Sequence, residues 1–134
     1  LRHFTEDLMV EKDWFALLVA QDFVIEGLLY PLIYDDFNDK LNGAYGPVFS
    51  MLTRFQREWF GESSKWVDAV LKVAAAESPE NKALLKNWIL AYRERAVQAL
   101  TPVARLAFAA DAEHRVDDAV QQLNTRAAKA GIPL

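Results

Sequence analysis

The sequence predicts an all-α fold, an antiparallel helical bundle, and three observations carry the prediction. Apolar residues recur at three- and four-residue spacing over long stretches of the 134-residue chain. No segment alternates apolar and polar residues as a half-buried strand does. The prolines and glycines, five of each, punctuate the chain at wide intervals that suit helices.

The first helix is expected from Thr5 to Tyr30, reaching Phe37 at most. Thr5 is its candidate N-cap, and Glu6 and Asp7 lie in the positively polarised first turn. Leu8, Trp14, Phe15, Leu18, Ile25, Leu28, Leu29 and Leu32 cover most of its circumference, which predicts burial on several sides. Pro31 lacks a backbone donor and should kink or end it. Asn42-Gly43 and Gly46-Pro47 mark a connection. Pro47 then opens a second long helix to about Ala76, with Met51, Leu52, Phe55, Trp59, Trp66, Val70, Leu71 and Ala74 as its expected inward face. Ser78-Pro79-Glu80 reads as cap, first-turn proline and favourable acid, and starts a third helix. That helix carries Leu84, Leu85, Trp88, Ile89, Tyr92, Val97, Leu100 and Val103, with a bend expected at Pro102. Asp111 is the candidate cap of a short last helix, with Val116, Val120 and Leu123 inward and Gly131 and Pro133 as its stop.

A formal net charge of -4 and a pI near 5.1, with Lys and Arg scattered, provide no basic field for nucleic acid or an anionic membrane surface. Without cysteine there are no disulfides, thiolate metal sites or Cys nucleophiles. The longest apolar run, Trp14 to Tyr34, is interrupted by Gln21, Asp22, Glu26 and Pro31, so no membrane span is expected and the cytoplasm is the default location. The chain begins with Leu1 rather than Met, which suggests a piece of a longer polypeptide.

Bundles of this kind often hold two metals between carboxylates, using Glu on two helices and Glu-x-x-His on two others. No Glu here has a His three places later. Asp111-Ala-Glu-His114 is the one acid-x-x-His, at a polar helix start, and His3 lies by the first residue. Asp22 and Glu26 are four apart on the first helix, as are Glu58 and Glu62 on the second, where Lys65 follows. Such acids form either an inward polar network, since charges on apolar helices need partners, or a solvent-facing stripe with Glu62 and Lys65 as an ordinary surface pair. Spacing alone favours the stripe. A self-contained metal enzyme would draw on Asp22, Glu26, Glu58, Glu62 and His114, against the shortage of His. Ser63-Ser64 has no evident His and Asp partners. The glycines form no phosphate loop, and Arg93-Glu94-Arg95 reads as a solvated face. Trp59, Trp66, Trp88 and Tyr92 line either a ligand pocket or, more simply, a packing surface.

Four blocks add a resemblance: Asp13 to Tyr34 (DWFALLVAQDFVIEGLLYPLIY), Ser50 to Phe60 (SMLTRFQREWF), Glu62 to Asp68 (ESSKWVD) and Lys72 to Ser78 (KVAAAES). In this order they resemble the beta subunit of bacterial multicomponent di-iron monooxygenases, nearest the phenol and toluene hydroxylase branch. The resemblance spans about Glu11 to Trp88 and weakens towards Leu134. It implies a ferritin-like fold and a place in a paired assembly of alpha, beta and gamma subunits. There the alpha subunit holds the di-iron centre that activates O2 for attack on phenol, toluene or similar hydrocarbons, with electrons from a reductase and help from an effector protein. The beta subunit shares the fold without iron ligands and supports alpha, so no catalytic, cofactor or metal residue is expected in this chain. Family beta subunits are longer, and the chain resembles the C-terminal half of one. The catalytic relatives place Glu on one helix and Glu-x-x-His on the next. Here Glu26 and Glu62 stand in that order, with Lys65 where the His would be. The three are thus expected as the remnant of a lost site, the ammonium replacing part of the metal's charge. Trp14, Phe15, Phe55, Trp59, Trp66 and Trp88 are the expected subunit contacts, because large aromatics anchor interfaces. The alternative is a free-standing helical module that binds a small apolar ligand or a partner helix.

Overall fold

The computed structural model describes all of residues 1–134, and they form four long helices preceded by a short one. Helix α1 is Arg2–Leu8, α2 is Trp14–Tyr45, α3 is Val48–Glu77, α4 is Pro79–Phe108 and α5 is Ala112–Lys129. The all-α class and the antiparallel bundle expected from periodicity are what the chain adopts.

The first expected helix is in fact two. Thr5 lies inside α1 and its hydroxyl donates to the Leu1 carbonyl at 3.3 Å, so it is no cap. Met9–Asp13 break the helix, and Asp13 caps α2 by accepting from the Phe15 and Ala16 amides at 2.9 and 3.2 Å. Glu11 holds this joint against α4, accepting from the Lys12 and Asp13 amides and from the Tyr92 hydroxyl at 2.9 Å.

Pro31 does not end α2. Two stretches of wider π-helical turns, Val19–Ile25 and Pro31–Phe37, lie within it, and Pro31 begins the second. Bonding one residue further along relieves the clash between the proline ring and the preceding turn, and the helix runs on through Asn42-Gly43 to Tyr45. The chain turns only at Gly46, whose φ of +76° favours glycine. By length and composition α2 could cross a membrane, contrary to the reading of its interruptions, but over half of its apolar window is buried within the bundle. It carries the half-buried Asp22 and Glu26 and is the core helix of this fold.

Helix α4 is the hub, packing on α2, α3 and α5. Ser78 caps it through the Asn81 amide at 3.0 Å, and Pro79 stands at its first position, as the sequence indicates. Pro102 lies within it without ending it. Its last turn is held by Lys40, which donates to the Ala107 carbonyl at 2.5 Å. Ala109 then takes a φ of +53° to swing the chain into α5. Asp111 precedes α5 without capping it through its side chain and instead pairs with Arg115 at 2.7 Å. Helix α5 ends at Gly131 (φ +83°), where the Gly131 and Ile132 amides donate back to Ala128 and Ala127. Lys86 near the start of α4 reaches Pro133 beyond the end of α5, and Arg57 early in α3 pairs with Asp35 late in α2. These links fix antiparallel neighbours.

The core runs along α2, α4 and α5 through Phe23, Leu28, Ile89, Leu100 and Leu123, with α3 contributing Val67, Leu71 and Ala75. The expected inward face of α3 is largely wrong. Met51, Leu52, Phe55, Trp59 and Trp66 are exposed, and of that group Leu71 is the one fully buried. Two apolar stripes wind around α3, and the bundle covers the one with the smaller side chains.

Candidate functional site: an arginine-centred polar core

Arg126 of α5 reaches between α2 and α3 and is the centre of a partly buried charged cluster. Its Nε donates to Asp68 Oδ1 at 2.6 Å, and its terminal nitrogens donate to the Ser64 and Phe23 carbonyls at 3.2 and 3.4 Å. The guanidinium lies 4.5 Å from the Phe23 ring centroid and 5.9 Å from that of Phe60. A planar five-donor fork can serve a carboxylate, two carbonyls and a ring face together, which a lysine could not. Local backbone makes room for it. A Cβ on Gly27 would stand 3.1 Å from Arg126 Nη1 and 3.0 Å from Leu123 Cδ1.

Asp22 and Glu26 complete the cluster from α2. Burial raises the pKa of Asp22, and Arg126 opposes the rise. Burial, and then the neighbouring Asp22, push Glu26 up to about 7 against a partial lowering by Arg126. Burial likewise raises Asp68, offset by Arg126. Three acids therefore share one guanidinium, and near neutral pH the cluster retains part of a proton on Glu26.

The sequence brings only part of this together. Asp22 and Glu26 take the inward reading, and Glu58 and Glu62 take the stripe reading. Glu58 faces Arg54 at 3.5 Å, and Glu62 pairs with Lys65 at 2.7 Å on an exposed face. Of the three expected remnant positions, Glu62 and Lys65 pair with each other, and no ion pair joins either to Glu26. Arg126 and Asp68 escaped the reading, although both sit at inward slots. Asp68 follows Val67 three before Leu71, and Arg126 lies three after Leu123.

Of the expected contact aromatics, Trp14, Phe55, Trp59 and Trp66 are exposed, while Phe15 and Trp88 are partly buried against the core. Phe15, Trp66, Val70, Val73, Leu84 and Trp88 line an open apolar groove of about 610 Å³ between α3 and α4.

The donor set does not fit a di-iron centre. No group of three His, Asp or Glu side chains is close enough to hold a metal. A guanidinium stands among the carboxylates, and His114 lies elsewhere beside Asp118 at 3.5 Å. The self-contained metal-enzyme set of Asp22, Glu26, Glu58, Glu62 and His114 is thus spread over separate places.

Fold and site define a ferritin-like helical bundle whose polar centre is built on arginine. Residues 1–78, more than half of the chain, match the methane/phenol/alkene hydroxylase family, and the chain belongs to that family. It is 39% identical over 132 residues to the phenol 2-monooxygenase oxygenase component DmpL of Pseudomonas sp. (strain CF600), a match covering 98% of this chain and 39% of that protein. It is 38% identical to the corresponding component MhpL of Acinetobacter pittii (strain PHEA-2), with the same coverage. The xenon-pressurised crystal structure of phenol hydroxylase from Pseudomonas sp. OX1 is similar with a TM-score of 0.90 and 34% identity, over 99% of this chain and 40% of that one. The chain therefore spans about two fifths of the length of these relatives.

Proposed function

We propose that this chain is the C-terminal portion of a non-catalytic beta subunit in the oxygenase component of a multicomponent di-iron monooxygenase acting on phenol or a similar aromatic. The carrying observation is Arg126, whose guanidinium stands among the carboxylates of the bundle core and already satisfies Asp68. A site built this way stabilises acids without iron, in keeping with a reading in which a partner alpha subunit would hold the di-iron centre. The family match and the two phenol 2-monooxygenase relatives support the reaction class. The exposed aromatics Trp14, Phe55, Trp59 and Trp66 support a role in packing. Alpha and gamma subunits, and a second copy of the complex, are the partners this reading requires.

Affinity purification of the parent protein from its host, with mass spectrometry and iron analysis, tests the proposal. Recovery with a larger iron-containing chain bearing two Glu-x-x-His motifs is the expected result. A monodisperse chain without partners would overturn it and favour a ligand-binding module using the groove beside Trp66 and Trp88. Stoichiometric iron in this polypeptide alone would overturn the non-catalytic assignment.

A further inference from the structure

Three residues of this chain take a positive φ, and two of them, Gly46 and Gly131, are glycines. The third is Ala109, at the elbow between α4 and α5, with φ +53° and ψ -117°. There a Cβ crowds its own peptide groups, so alanine persists only where the surroundings impose the conformation. Charged groups impose it from both sides. Lys40, late in α2, donates to the Ala107 carbonyl, where the open carbonyls ending α4 favour a cation. The buried Phe108 ring has Lys40 at 5.8 Å and Arg115 at 6.0 Å from its centroid, and meets Phe37 edge-on at 6.1 Å. Arg115 joins Asp111, at 2.7 Å, to Asp36 of α2, at 3.4 Å. Arg105 reaches across the elbow to Glu113 through Nε at 2.9 Å and Nη2 at 2.8 Å. Lys40 and Arg105 are exposed and Arg115 is partly so, which leaves these links open to solvent.

The far end of the same helix carries Arg126. From Ala112 to Arg126 α5 rises about 21 Å at 1.5 Å per residue, without a break. Its contact with α2 has no slack. The space above Gly27 is closed by Leu123 and Arg126, 3.0 and 3.1 Å from where a Cβ would stand. Close-packed contacts of this kind change in discrete steps and do not deform smoothly. A pivot at the elbow therefore carries through to Arg126 and its bond to Asp68.

We infer that the α4–α5 elbow is a strained joint latched by Lys40 and Arg115, and that releasing the latch loosens Arg126 at the other end of α5. Once unlatched, Ala109 returns to the right-handed region, α5 pivots, and Arg126 leaves Asp68. The latch is ionic and reachable from solvent, whereas the contact it controls lies inside the bundle. The inference stands on this chain's own geometry and does not depend on the subunit reading.

The test is hydrogen exchange read by mass spectrometry on the intact parent protein. Lys40→Met keeps the aliphatic length and removes the donor and the charge. It should speed exchange about tenfold or more in the α5 segments around Arg115 and Arg126, and less than about twofold around Leu71 of α3. Made in an Ala109→Gly background, the same change should speed the α5 segments by less than about threefold, because a glycine elbow has no strain to release. Lys40→Arg, which keeps a cationic donor, should exchange as the parent does. Raised ionic strength should act like Lys40→Met on the alanine elbow and spare the glycine one. Parental exchange in Lys40→Met overturns the latch. An equal effect in both backgrounds overturns the strain. Faster exchange confined to the elbow overturns the link to Arg126, and an equal rise around Leu71 overturns the device by showing general destabilisation.

Discussion

Replacing Arg126 by methionine keeps much of its length and removes all its donors. Asp68 loses a 2.6 Å partner, two carbonyls lose theirs, and Asp22 and Glu26 lose their common counter-charge. Removing one partner of a buried pair costs about 3–5 kcal/mol. Here the side chains of Arg126 and Asp68 are 16% and 37% exposed, so solvent takes up part of the loss and about 2–3 kcal/mol is expected. With an unfolding entropy of about 2.1 cal/mol/K per residue, a domain of this length melts lower by roughly 7–11 °C. Calorimetry of Arg126→Met, Asp68→Leu and the double variant separates the pair from its surroundings. The double variant should recover at least about 1 kcal/mol relative to the sum of the single losses, since it strands no charge at position 68. Additive losses within experimental error would refute an energetically coupled core.

Glu26 provides a pH prediction. Its folded pKa of about 7 lies above the ordinary 4.5, so the folded protein binds more protons between those values and stability falls as pH rises through that window. The separation sets a ceiling of roughly 3 kcal/mol. Solvent screening of a half-buried group brings it to about 1 kcal/mol. Glu26→Gln should therefore gain stability relative to the parent between pH 5 and pH 8 by about that amount in denaturant titrations, and an unchanged difference contradicts the assignment. Gly27→Ala gains about 1 kcal/mol in helix propensity but forces a methyl against Leu123 and Arg126, for a net loss of about 1 kcal/mol. A higher melting temperature would mean that the Arg126 clamp yields freely. Ala109→Gly relieves a left-handed φ of +53° and should raise stability by up to about 1 kcal/mol after the entropy cost of glycine. A lower melting temperature would show that this turn is unstrained.

Much of the framework is decided locally, within reach of a few residues. Ser78-Pro79-Glu80 starts α4 and Gly131 ends α5 because caps and left-handed turns satisfy backbone groups that no distant residue needs to reach. The apolar periods likewise determine that long helices form and that the class is all-α. Wherever two local solutions were open, contacts far along the chain made the choice. Thr5 and Asp13 are both able cap residues, and α2 starts at Asp13, where the Glu11–Tyr92 bond spans 81 positions of sequence. Pro31 breaks an isolated helix, yet the packed α2 absorbs it by widening its turn. On α3 both stripes are apolar, and the smaller side chains of Val67, Leu71 and Ala75 let α2 and α4 approach closely. Asp22 and Glu26 read equally as surface acids until Arg126, about a hundred residues away, enters between the helices. Spacing determines which residues share a helix face. It does not determine which face meets which helix, because that depends on volumes and charges supplied by the other elements.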